Sequence, residues 1–147
     1  MKTLVVYYSR KGYVQKLAMQ KVRDENADFL EIETIENTAG WYGFMNCAKF
    51  AAAGKEMTLF PYETDISAYD KVIICAPVWL GKICPPMAEF MKKEKHNINC
   101  AEYIFVHFLP ADVKKIADDA DKTLRLTREK VTSVRCITGK TIKEEEF

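Results

Sequence analysis

The chain has 147 residues, 48% apolar and 29% charged, with 22 Lys and Arg against 21 Asp and Glu. That is the size of one domain with its own core, residues 1–147, and it excludes a disordered chain. A net charge of +1 gives no electrostatic ground for a nucleic acid or an anionic membrane as partner, and no apolar run approaches the roughly 18 residues of a membrane span.

Thr3-Leu4-Val5-Val6-Tyr7-Tyr8 is a near-continuous apolar run, which predicts a strand buried on both faces. It is too short for a signal-peptide core and no small-residue cleavage site follows, so a cytoplasmic protein is expected. Ser9-Arg10-Lys11-Gly12-Tyr13-Val14 then leads into a helix in which Val14, Leu17, Ala18 and Val22 recur at helical spacing. Phe29-Leu30-Glu31-Ile32-Glu33 alternates, the pattern of a half-polar strand at a sheet edge. Phe44, Cys47, Ala48 and Ala51 mark a second helix, and Lys71-Val72-Ile73-Ile74-Cys75-Ala76 a second fully buried strand. Pro85-Pro86 stands where a helix start tolerates proline, ahead of Met87, Phe90 and Met91.

Tyr103-Ile104-Phe105-Val106-His107-Phe108 is the third buried strand. The clearest amphipathic helix follows: Val113, Ile116, Ala117, Ala120 and Leu124, with Asp118, Asp119 and Lys122 opposite. Val131 to Thr138 mixes Val134 and Cys136 with Ser133 and Arg135, a second edge strand. The alternation predicts an α/β fold: an open, doubly wound, five-stranded parallel sheet with right-handed crossovers. Only Gly139 to Phe147 remain, with no apolar stripe, so the fifth helix that normally covers one face is missing. Either a homodimer shares the uncovered face or the chain is truncated; the dimer is preferred.

Cys47, Cys75, Cys84, Cys100 and Cys136 are scattered without a CxxC pair, and His96 and His107 lie far apart. Neither a disulfide framework nor a metal site is expected; buried thiols in a reducing compartment are.

Ligands of such sheets bind beyond the carboxyl ends of the strands. There the Ser9–Val14 turn offers hydroxyl, basic and glycine residues at a helix N-terminus, an anion cradle. After the strand Lys71–Ala76, Pro77-Val78-Trp79-Leu80-Gly81-Lys82 supplies an aromatic ring, a glycine and a cation; Trp79 either stacks on a planar heterocycle or plugs the gap between sheet and helix.

These two segments, in this order, resemble the phosphate loop and the aromatic flavin loop of the flavodoxin family, and Trp41-Tyr42-Gly43-Phe44 resembles its corresponding stretch. The likeness spans residues 1 to about 140. It implies strand order 2-1-3-4-5 and non-covalent FMN, with Ser9 to Val14 on the phosphate and the loops at Trp79 and at Phe108-Leu109 flanking the ring system. No catalytic side chain need come from the chain. The resemblance implies a redox protein, an electron carrier or a small reductase linked to NAD(P)H or a quinone, whose partner is a redox protein or a small-molecule acceptor. The competing expectation is a domain of this fold that has lost FMN and works through protein contacts. Three departures bear on that choice. Lys11 and Val14 stand where the family carries hydroxyl residues, Phe108-Leu109-Pro110 replaces a longer loop, and the chain lacks the usual acidic charge.

Overall fold

A computed structural model describes residues 1–147. The strands are β1 (Thr3–Tyr7), β2 (Asp28–Glu31), β3 (Lys71–Trp79), β4 (Lys82–Ile83), β5 (Ala101–His107), β6 (Val131–Ile137) and β7 (Lys140–Glu146). The α-helices are α1 (Tyr13–Glu25), α2 (Gly40–Ala53), α3 (Pro85–Glu94) and α4 (Val113–Leu124). One sheet runs in the order β2-β1-β3-β5-β6-β7, with β4 paired only to β3. The five strands expected from the sequence are β1, β2, β3, β5 and β6; they are mutually parallel and lie in the expected order.

Two strands were not expected. β4 returns antiparallel on the end of β3, pairing Trp79 with Lys82 and Val78 with Ile83. β7 pairs antiparallel with β6, so β6 is an interior strand and not an edge. The tail is therefore a strand, though no fifth helix follows β6. A bulge between Arg135 and Cys136 bends the hairpin, and the Thr141 hydroxyl at its far end meets the hydroxyl of Tyr13 on α1.

The two faces of the sheet differ. On one, α3 and α4 close a cluster of 23 buried apolar residues that includes Leu4, Val6, Tyr8, Ile74, Phe90, Phe105 and Ile116. On the other, α1 covers a smaller cluster of 9, among them Val5, Tyr7, Val14, Ile73, Ile104, Val106 and Val134. Beside it the face turns ionic. Glu102, 1% exposed, lies 2.9 Å from Lys71, 3.1 Å from Lys21 and 3.8 Å from Lys130, and Lys71 also reaches Glu129 at 2.9 Å. Burial works against the Lys71 charge, but its bonds to Glu129 and Glu102 win and hold its pKa above the ordinary value. Where a fifth helix would need apolar strand residues beneath it, this face carries Lys71, Glu102 and Thr132, and Ile104, Val106 and Val134 are already buried within a single chain. A partner copy is not needed to cover them.

Candidate functional site

The parallel strands deliver their carboxyl ends to one rim of the sheet. β1 ends at Tyr7, and the turn Ser9–Gly12 enters α1 with Gly12 in the left-handed region at φ 88°. Open space surrounds the position a Cβ would take there, so the backbone is accessible from outside. The Ser9 hydroxyl accepts the Gly12 N–H at 2.9 Å, and the first helical bond runs from Lys16 N–H to the Gly12 carbonyl. The N–H groups of Arg10, Lys11, Tyr13, Val14 and Gln15 have no acceptor within the protein. A run of free donors at the positive end of a 13-residue helix favours an anion.

The side chains of this turn divide. Lys11 is exposed and free to approach an anion. Val14 is 5% exposed and packs in the smaller core cluster, so only its N–H faces the turn. Arg10 leans the other way: its guanidinium donates to the carbonyls of Thr38 (3.3 Å) and Gly40 (3.2 Å) and lies 5.4 Å over the Phe44 ring. It thereby ties the phosphate-loop candidate to the start of α2. Gly43 makes that junction possible, because a Cβ there would come within 2.7 Å of the Thr38 Cα.

At the end of β3, Pro77 and Val78 are half-buried and Trp79 packs against the larger cluster. Leu80 (φ 52°) and Gly81 (φ 75°) form a two-residue turn with both residues left-handed, the type I′ geometry that matches strand twist. Gly81 is thus a fixed turn residue rather than a loose one. The Cys84 N–H donates to the Pro77 carbonyl at 3.0 Å and closes the base of this hairpin. Leu80 and Lys82 are exposed.

At the end of β5, His107 Nδ1 lies 2.7 Å from the Leu109 carbonyl and Nε2 lies 2.8 Å from the Ser133 hydroxyl. A carbonyl can only accept, so Nδ1 donates, while Nε2 shares a hydrogen bond with the Ser133 hydroxyl. The ring pins the short loop that exposes Phe108 and Leu109, and Arg135 Nε donates to the Phe108 carbonyl at 3.4 Å. His107, Ser133, Thr38 and Tyr8 were not singled out from the sequence. A polar ring at the end of each apolar strand was the available signal for Tyr8 and His107.

The structure therefore brings Ser9–Val14, Pro77–Lys82 and Phe108-Leu109 to neighbouring strand ends. Two open surface cavities lie elsewhere: one of about 420 Å³ between Glu56–Leu59, Glu89 and Lys93, and one of about 350 Å³ along Asp121–Thr127. No three His, Cys, Asp or Glu side chains gather as metal ligands, and all five cysteines are unpaired. No helix is long and apolar enough to cross a membrane.

The family model of the flavodoxin domain matches residues 48–145, about two thirds of the chain, and this protein belongs to that family. Among solved structures it is similar to a flavoprotein from Lactobacillus acidophilus NCFM in complex with FMN, at 23% identity and TM-score 0.72 over 90% of this chain and 92% of that one. The apo-form of the L. acidophilus NCFM flavoprotein, solved by NMR, matches at 23% identity and TM-score 0.65, covering 93% of each chain. The Trp repressor binding protein of Bacillus subtilis matches at 13% identity and TM-score 0.58, over 92% of this chain and 88% of that one. No curated protein matches the chain.

Proposed function

We propose that this protein binds FMN without a covalent link at the carboxyl ends of β1, β3 and β5 and serves as a redox protein. The observation that carries the reading is the set of free N–H groups from Arg10 to Gln15 at the start of α1, one strand away from the half-buried Trp79. The residues fit the group. Backbone donors and Lys11 would hold the 5′-phosphate, Trp79 would flank one side of the isoalloxazine, and the loop Phe108-Leu109 the other. FMN supplies the electron chemistry when bound; the chain holds, orients and shields it. Exposed Leu80, Phe108 and Leu109 leave the ring edge within reach of a redox protein or a small-molecule acceptor. Five unpaired cysteines fit a reducing, cytoplasmic setting.

Val14 supports a second reading, a domain of this fold that has given up FMN for protein contacts. Its buried isopropyl group offers the phosphate no hydroxyl. One experiment separates the two: an absorption spectrum of the purified protein, followed by FMN titration with flavin fluorescence quenching. A yellow protein, or uptake at micromolar FMN, supports the redox reading. No uptake at millimolar FMN overturns it in favour of the second.

A further inference from the structure

Tyr8 is the buried aromatic at the site to which the flavin reading gives no task. It is 3% exposed, and its ring meets Trp79 edge-on, with centroids 5.7 Å apart and planes at 80°. Its hydroxyl is buried beside Thr38 and the Cys47 thiol. Burial pushes its pKa above the ordinary tyrosine value, against the opposing pull of its bond to Thr38. Its contact with the candidate flavin loop is made by the ring, against Trp79.

Trp79 needs such a neighbour. It is the last residue of β3, half-buried, paired to Lys82 of β4 beyond the reach of the β1 and β5 ladders, and followed at once by the Leu80-Gly81 turn. A planar ligand stacks only on a ring held in a fixed plane, and a fully packed side chain supplies the wall that fixes it. We propose that Tyr8 is a positioning residue whose ring, packed at right angles to the Trp79 indole, sets the plane of that indole for stacking on the flavin, an inference that rests on the flavin reading above.

The test is FMN titration of the full chain, with the visible circular dichroism of bound flavin as a signature of ring geometry. Tyr8→Phe keeps the ring and is expected to bind FMN with wild-type affinity and an unchanged signature. Tyr8→Leu keeps apolar bulk without the ring and is expected to bind up to about 10-fold more weakly, the worth of one aromatic pair, with an altered signature. In a Trp79→Ala background, Tyr8→Leu should add no further loss, because the effect passes through Trp79. Should Tyr8→Leu fail to fold, Tyr8→Met takes its place. A folded Leu or Met variant with wild-type affinity and signature overturns the proposal, as does a Phe variant as weak as the Leu one. If the wild type takes up no FMN, the flavin reading itself fails, and that result is visible before any variant is made.

Discussion

A tryptophan at the carboxyl end of a buried strand serves the core, a ligand, or both, and the two roles respond differently to its removal. Trp79 touches the larger cluster and Tyr8, so Trp79→Ala lowers stability in either case. Only the ligand role also predicts weaker FMN binding, by about 1–3 kcal/mol for a lost stacking face. Titration of a variant whose circular dichroism shows it folded measures this, and undiminished affinity would leave Trp79 as a plug alone. At this scale the sequence was half legible. The phase of Val14, Leu17 and Ala18 already put Val14 on the buried stripe, so its side chain could have been removed from the ligand set without a structure. Arg10 could not, because the carbonyls it satisfies lie 28 and 30 residues downstream.

Among the elements, the β3–β4 hairpin stores strain at Leu80. An L-residue in the left-handed region costs about 1 kcal/mol or more, and asparagine is the residue that a type I′ turn prefers there. Leu80→Asn is expected to raise stability by about 1 kcal/mol in urea denaturation. A loss instead would mean that the exposed leucine makes contacts the fold needs. The start of β2 is held by a different device: the Tyr69 hydroxyl donates to Asp28 at 2.7 Å. That bond, with some burial, pushes the Tyr69 pKa up to about 12 from an ordinary value of 10.0. The folded state holds this proton more tightly than the unfolded chain. Its contribution is therefore complete below about pH 10 and drains away as the pH rises towards 12. Tyr69→Phe should lose stability at neutral pH and decline less steeply than wild type between pH 10 and 12. Equal slopes for the two proteins would refute the linkage.

The helices and parallel strands were readable because their apolar periods run for whole elements. β4 was not, at two residues, and neither was β7, whose Lys-Thr-Ile-Lys-Glu-Glu-Glu carries no buried stripe because all seven residues face solvent. Gly139 at φ 77° beside Thr138 at φ 51° was the one turn signal available for the second hairpin.

In the molecule as a whole, the ionic half of the α1 face replaces a missing layer. Glu102 is too buried to stand alone, and Lys71 is its nearest cation at 2.9 Å. Lys71→Ala is expected to cost about 3 kcal/mol in urea denaturation, the low end for breaking a buried pair, since Lys21 remains beside the carboxylate. A loss below about 1 kcal/mol would show that Lys21 alone neutralises it. This network joins positions 21, 71, 102, 129 and 130, too far apart in sequence for any local pattern to reveal. The dimer was expected because a missing fifth helix would leave apolar surface on the α1 side facing water; Glu102, in β5, makes part of that face ionic.

β7 has one more consequence, for the behaviour of the protein at high concentration. An unpaired strand edge is a template on which another sheet can grow, and a Val-rich strand such as β6 would be an adhesive one. β7 occupies that edge and presents Lys140, Lys143, Glu144, Glu145 and Glu146 outward instead. A second sheet approaching it meets a run of like-charged carboxylates that must be stripped of water before any ladder can form, so the tail acts as a gatekeeper against aggregation.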